Sequence, residues 1–442
     1  MGFTRRNLLF SSIAGAVTGL IGGKRAEAAV QRQAGHSGPP PKPFASRRRS
    51  GRAPVVTPNG ASLPHRMVDG VKEFHLIAEP VRREFVNGLN VNCWGYNGIT
   101  PGPTIEAFEG DRVRILVTNK LPEGTSVHWH GFILPNGMDG VSGLNQPKIQ
   151  PGETFAYEFT LRQTGSLMYH PHFDEMVQIA MGMHGFFIVH PRDNNVRRVD
   201  RDFAIFLNEW FIKPGTATPD PTVMLDFNTF TMNSRVFPGT EPLLVRTGDR
   251  VRIRLANLTM DSHPIHIHGH AFYVTGTDAG PIPETAWWPE NSVNVPVGTT
   301  RDIEFTADNP GDWAFHCHKT HHVMNQMGHD LPNLLGIDPA STQQRLNELV
   351  PGTMVMGTNG MGDMAEHQKS MPMPRNSIPM LGGQGPFGPI DMGGMFTIVK
   401  VRDEIDYARD PGWYTEGPRA WRVDSMSSPA APPAHSHEGH GE

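Results

Sequence analysis

His316-Cys317-His318, with His322 and Met327 close behind, carries the richest chemistry in this chain of 442 residues. One thiol lies between two imidazoles, a further imidazole follows the Cys by five residues, and a thioether follows it by ten. A thiolate, an imidazole and a weak, long thioether bond are the in-chain ligands of a blue-copper electron-transfer centre. His316 and His318 cannot readily share that centre, because residues two apart on a strand face one side and the residue between them faces the other. Cys317 is therefore expected to serve one metal centre while its neighbours serve a second. Only a few covalent bonds would separate the two, which suits electron delivery.

Three more clusters repeat the theme. His128-Trp129-His130 and His170-Pro171-His172 are His-x-His pairs, and His263-Pro264-Ile265-His266-Ile267-His268 contains another with an extra His in front. That extra residue, His263, offers the second imidazole that the Cys317 site needs. Neutral imidazole and thiolate are ligands that copper favours. A lone His-x-His arises readily by chance on a strand; four in order, one of them bracketing a Cys, do not. The chain also repeats itself. Gly110-Asp111-Arg112-Val113-Arg114-Ile115 recurs as Gly248-Asp249-Arg250-Val251-Arg252-Ile253, an offset of 138 that also carries His128 onto His266 and His130 onto His268. At an offset of 146, His170 meets His316 and His172 meets His318. The first copy has Pro171 for Cys317, Met176 for His322 and Thr125 for His263, and keeps a like residue only at Met181. A thiolate centre is therefore expected in the second copy alone.

These motifs closely resemble those of the multicopper oxidases, the laccase-like family, over roughly Trp94 to Met327, with weaker similarity from Met395 to Val401. The resemblance implies an all-β fold of two cupredoxin-like Greek-key barrels and four coppers per chain. His263, Cys317 and His322, with Met327 axial, match the type 1 ligands. His128 and His266 match the type 2 ligands. His130, His170, His172, His268, His316 and His318 match the type 3 pair. The family takes single electrons from a reducing substrate and reduces dioxygen to water. His263 follows His172 by only 91 positions, too few for the copper-free middle domain of three-domain members, so the chain resembles a two-domain member. Two-domain relatives assemble as homotrimers, each trinuclear cluster lying between domain one of one chain and domain two of the next, and closed symmetry suits this. Asp139, eleven residues after His128, matches an acidic residue that relays protons in some members, acting through a water; an ordinary turn Asp before Gly140 is the plainer reading. Two-domain copper nitrite reductase is an alternative, opposed by Thr125 and Pro171. A copper resistance or storage protein without turnover is another, suggested by a Met-rich segment and a His-rich tail.

Strand-like runs alternate with Gly/Pro turns: Lys72 to Ala78, Thr104 to Ala107, Arg112 to Thr118, Thr154 to Leu161 and Gly185 to Val189, then Phe203 to Leu207, Arg250 to Leu255, Ala271 to Thr275 and Arg301 to Phe305. Such spacing predicts antiparallel barrels or sandwiches. The expected boundaries are 1–28 for an export signal, 29–66 for a Pro/Arg-rich linker, 67–195 and 200–402 for the two domains, and 403–442 for a tail ending in His435, His437 and His440. The second domain is read as holding a Met-rich insertion, 330–392, with a short helix near Thr342 and soft thioethers suited either to Cu(I) or to plain loop packing. Phe396 to Val401 is read as its closing strand. Arg5-Arg6 ahead of an uncharged stretch from Asn7 to Gly23, then Ala26-Glu27-Ala28, reads as a twin-arginine signal directing a folded protein to the periplasm or outside. A net charge of −5 argues against nucleic acid as a partner. With Cys317 on copper, Cys93 has no disulfide partner and is read as a small buried hydrophobe. His184, His270, His321 and His329 are read as packing neighbours. The reducing substrate, a phenol or a low-valent ion such as Cu(I), Mn(II) or Fe(II), is left open.

Overall fold

The computed structural model describes residues 52–193, 198–325, 345, 348–349, 375–378 and 382–420. Period-two patterning builds its strands. In Arg112–Asn119, Val113, Ile115 and Val117 are fully buried while Arg112 and Arg114 face outward. This strand lies between Val71–Val86, in parallel, and Thr154–Thr160, antiparallel. The facing sheet runs Gly102–Phe108, Gly185–His190, Gly165–His170, His128–His130. Phe74, Ile115, Trp129, Tyr169 and Phe187 fill the space between the two sheets.

The second half repeats the plan. One sheet orders Arg201–Trp210, Arg250–Asn257, Thr299–Thr306 and Phe272–Thr277; the other orders Leu243–Arg246, Phe396–Arg402, Gly311–Cys317, His263–Ile267 and Ser292–Val295. Their shared core includes Phe203, Ile253, Ile265, Phe315 and Cys317. The fold is all-β, two cupredoxin-like barrels; α-helix among the described residues is limited to Glu175–Ala180 and to Arg345, Glu348 and Leu349. The internal repeat proves to be a turn entering a strand. The Asp111 carboxylate accepts the Phe108 N–H at 2.9 Å, and the Asp249 carboxylate accepts the Arg246 N–H at 3.0 Å.

The barrels share an apolar seam of Met168, Phe186 and Ile188 against Ala204, Phe206 and Ala256. Beside it lies a buried ionic group. Arg254 makes two 2.8 Å bonds to the Asp202 carboxylate and a third to Ser166 Oγ, which donates to Asp302 at 2.6 Å. Burial alone would raise the Asp202 carboxyl, but Arg254 and Arg252 hold it below the usual carboxylate range.

Two segments depart from the sequence reading. Val55–Val56, expected within a solvated linker, pairs in parallel with Arg201–Trp210, and Arg52 donates to the Pro191 carbonyl at 2.9 Å. The start of the expected tail also packs: the Arg201 guanidinium sits 4.2 Å from the Tyr407 ring centre, and Tyr407 donates to Asp249. Composition hid both, since Pro- and Arg-rich chain supplies edge pairing and cation–π contacts without apolar periodicity. The export signal, Met327, Met354 to Met373, Met380, His329 and the terminal His residues lie outside the described residues; of the helix expected near Thr342, Arg345 is described and helical, as are Glu348 and Leu349 just beyond it, while Thr342 itself lies outside.

Candidate metal centres

Strand alternation divides Gly311–Cys317 and His263–Ile267 between two jobs. Ile265 opposes Cys317 and both point into the barrel, fully buried; His266 opposes His316 on the other face. His263 shares the inward face of its strand. His322 arrives from the turn Thr320–Val323, whose neighbour Met395 donates its N–H to the His322 carbonyl at 3.0 Å. Gly394 permits that approach: its φ is +55°, and a Cβ there would meet the His322 carbonyl oxygen at 2.2 Å.

The three side chains converge. His263 Nδ1 and His322 Nδ1 are 3.1 Å apart, and Cys317 Sγ lies 3.5 Å from the second and 4.0 Å from the first. Burial lowers the His263 imidazole to about 3 and raises the Cys317 thiol to about 12. Uncharged imidazoles are ready ligands, whereas the thiol must release its proton to an incoming metal. One thiolate and two imidazoles in a dry pocket fit copper by donor softness. Phe230 stacks on His322 at 4.0 Å. On its far side His322 Nε2 lies 3.7 Å from Asp261, which also pairs with Lys319 at 3.1 Å.

The remaining imidazoles form two quartets. In the first barrel His128 opposes His170 in the ladder, and His130 Nδ1 lies 3.2 Å from His170 Nε2. In the second His266 opposes His316, and His268 Nε2 lies 3.2 Å from His316 Nε2. His172 and His318 complete the sets through ring contacts with His128 and His266. Backbone carbonyls take up four ring nitrogens: Asp139 O for His128, Pro171 O for His170, Asn291 O for His266 and Cys317 O for His316, all through Nδ1 at 2.7–2.8 Å. A ring that donates through Nδ1 presents a bare Nε2 to a metal, which is how neighbouring groups orient ligands. Among the described residues no ring contact or hydrogen bond joins one quartet to the other, and His268 and His318 are exposed.

Asp139 touches His128 twice, through its backbone oxygen and through its carboxylate at 3.5 Å. Gly140, with φ +87°, lets this turn lie against the ladder, since a Cβ would fall 1.8 Å from Val127 O. His184 packs on Phe206 at 4.3 Å, and His270 on Phe305 and Trp313. Cys93 is buried in an apolar cluster. Sequence reasoning missed Gln178, Glu209 and Glu175. Gln178 accepts from Thr125 at 2.7 Å, Glu209 accepts the N–H groups of Met260 and Asp261, and Glu175 lies 3.6 Å from both His170 and His172. No motif marks them; only the tertiary approach of separate segments, one a helix, does.

Two β-barrels that each carry paired imidazoles at one ladder position, one with a buried Cys and two His beneath, define a cupredoxin-like metalloprotein. Two family models described as multicopper oxidase match residues 78–194 and 214–334. Laccase-1 of Botryotinia fuckeliana is 34% identical over 239 residues, covering 50% of this chain and 40% of that protein. Copper resistance protein A of Escherichia coli is 40% identical over 114 residues, 26% of this chain and 18% of that one. Among solved structures, the blue copper oxidase from Nitrosomonas europaea superposes with a TM-score of 0.54 at 26% identity, covering 74% of this chain and 85% of that one. The chain belongs to the multicopper oxidase family. It spans less than half the length of the curated relatives it matches.

Proposed function

We propose that the protein is an oxidase that takes single electrons from a reducing substrate and passes four of them to dioxygen, yielding water. The observation that carries this is the covalent join: Cys317 belongs to the buried sulfur site, and its chain neighbours His316 and His318 belong to an imidazole quartet. His263, Cys317 and His322, with Met327 axial, would hold type 1 copper; His128 and His266 type 2; His130, His170, His172, His268, His316 and His318 the type 3 pair. Copper so bound would supply one-electron uptake at the sulfur and dioxygen reduction among the imidazoles. The protein's share is positional. Barrel burial keeps water from Cys317, the carbonyl-anchored rings hold their Nε2 atoms ready, and Asp139 offers a carboxylate beside His128 that can pass protons through a water.

The separation of the quartets supports a homotrimer in which the first quartet of one chain meets the second of its neighbour. Arg5-Arg6 and the uncharged stretch after it support twin-arginine export to the periplasm or outside. A nitrite reductase with copper in its first barrel is disfavoured, because Thr125 and Gln178 bond to each other where such ligands would stand. Oxygen uptake by copper-loaded protein with ferrocyanide as donor tests the activity. Four donor equivalents consumed per dioxygen are expected, and accumulating peroxide or absent uptake would refute it. A monomeric mass with full activity would refute the trimer.

A further inference from the structure

Where the barrels meet, at the end of the strand Gly165–His170 that lies away from His170, Gly165 lines a cavity of about 90 Å³. It has room for a few waters or one small ion. Separate stretches of chain close it: Arg52 from ahead of the first barrel, His190 from that barrel's last strand, and Asp202, Arg252, Arg254 and Glu304 from the second barrel. Each carboxylate in the wall already has a guanidinium. Glu304 accepts two N–H groups each from Arg250 and Arg252 at 2.6–2.9 Å, and Asp202 accepts two from Arg254 at 2.8 Å. Asp302 lies 3.5 Å from Arg254 and accepts from Ser166. His190 Nε2 is held by Glu106 at 2.9 Å. Arg52 has no carboxylate bonded to it. Its Nη2 donates to the Pro191 carbonyl at 2.9 Å, and its guanidinium sits 5.0 Å from the centre of the Phe108 ring. Its Nη1 is buried with no hydrogen-bond partner among the described residues. A buried charged donor left bare is costly, and folded proteins rarely keep one. The wall also holds an excess of positive charge, with Arg198 added to Arg52, Arg252 and Arg254 against three acids. Burial first, then Arg252 and Arg254, hold the Arg52 guanidinium below its ordinary value, and burial, Arg254 and Arg52 lower His190 against its bond to Glu106.

We propose that this cavity binds one small inorganic oxyanion, phosphate or sulfate, with Arg52 Nη1 as a charged donor to it, and that the bound ion fastens the segment from Arg52 to Val56 to both barrels. An oxyanion supplies what the wall lacks, acceptor oxygens for Nη1 and a negative charge against the surplus guanidinium. Guanidinium and phosphate make short, charge-assisted bonds, and the planar fork sets their direction. A cation is the poorer fit, because the wall's carboxylates are already taken up by Arg250, Arg252 and Arg254. The small volume favours the free inorganic ion over its esters. The fastening has a structural use. Val55 and Val56 pair only with Asp202 and Phe203, a ladder of two residues that holds weakly by itself. The site is separate from the paired imidazoles and stands whether or not the oxidase reading does.

The probe is inorganic phosphate. Equilibrium dialysis of the full-length holoprotein against radiolabelled phosphate, with ionic strength held constant by sodium chloride, should show one saturable site per chain that sulfate competes for. Arg52→Gln should weaken phosphate by about tenfold or more. Arg52→Lys keeps the charge but loses the planar fork, and should fall between the two. Arg112→Gln, which removes an exposed guanidinium on an outer sheet, should bind as wild type does. Circular dichroism reports whether each variant has folded. Saturating phosphate should raise the thermal midpoint of the wild type by about 3 °C or more, slow hydrogen exchange at Val55 and Val56, and do neither in Arg52→Gln. No saturable binding in the wild type overturns the proposal. So does unchanged affinity in folded Arg52→Gln, or in Arg52→Lys if the Gln variant does not fold, since the ion would then sit elsewhere, a metal included. Phenyl phosphate competing as well as inorganic phosphate would overturn the assignment of the free ion.

Discussion

The two barrels carry the same quartet at the same ladder register, yet among the described residues only one has a buried sulfur–imidazole pocket beneath it. His128 opposes His170 as His266 opposes His316. Under the second pair lie His263, Cys317 and His322. Under the first, Thr125 donates to Gln178 at 2.7 Å, and Gln178 donates onward to the Gly124 carbonyl and the Glu123 carboxylate at 2.8 Å each. Gln178 is fully buried against Thr125, the residue that stands where the second copy has His263. Strand pairing therefore fixes the imidazole positions, while one interior layer distinguishes the barrel proposed to conduct electrons from the one that is not. A polar plug that satisfies its own hydrogen bonds is the alternative to a metal, because a buried polar group must have some partner.

Breaking the conducting side should have the largest effect. Cys317→Ser is expected to abolish the intense visible absorption and cut oxygen uptake by more than about a thousandfold, the scale on which removal of an essential reacting group acts. Circular dichroism should stay unchanged, since a hydroxyl fits where the thiol stood. Activity within tenfold of wild type would mean that electrons enter elsewhere.

The seam that holds the two barrels in one chain comes next. Arg254→Met takes both close hydrogen bonds from Asp202, leaving it the 3.4 Å contact with Arg252, and removes the nearest guanidinium from Asp302, a loss of about 3–5 kcal/mol by the usual cost of breaking a buried pair. Thermal unfolding should report it as a clear drop in midpoint at pH 7. Because the folded Asp202 carboxyl lies below its unfolded value, its contribution is complete above the ordinary carboxylate pKa and is lost as pH falls through the depressed one. The deficit of the variant should therefore shrink in acid; a deficit that grows there would contradict the pairing.

Removing the plug is a smaller perturbation. Gln178→Ala should cost about 2–3 kcal/mol through unpaired neighbours and lost packing, with visible absorption per copper unaltered. A changed blue spectrum would show that the first barrel takes part in the sulfur site. Smallest in structural terms is Asp139→Asn. The His128 ring is anchored by the Asp139 backbone oxygen, so that anchor should survive and the blue colour with it. Steady-state oxygen uptake should slow by about 10²-fold, the low end of a general acid's contribution; undiminished turnover would remove the proton-relay role.

Much of this was legible in the sequence. The alternation around Cys317 alone separates the inward thiol from the outward imidazoles, and the offset of 138 pairs positions that share a ladder register in the two barrels. The runs at Arg112 and Arg250 became strands because their Val and Ile residues recur at period two. What stayed hidden depends on contacts between distant segments. Gln178 lies on a short helix with no telling spacing, and Glu209 reads as one acid in an apolar strand. Val55–Val56 pairs with a strand some 150 residues away. Burial and partner geometry, which no single stretch of chain encodes, give these residues their roles.

Copper analysis of the purified holoprotein, read together with its visible spectrum, bears hardest on the assignment of the His and Cys clusters. Four coppers per chain with intense sulfur-to-copper absorption are expected in the wild type, and three without that absorption in Cys317→Ser. Fewer than two coppers in fully loaded wild-type protein, or an unchanged count and colour once Cys317 is replaced, would contradict it.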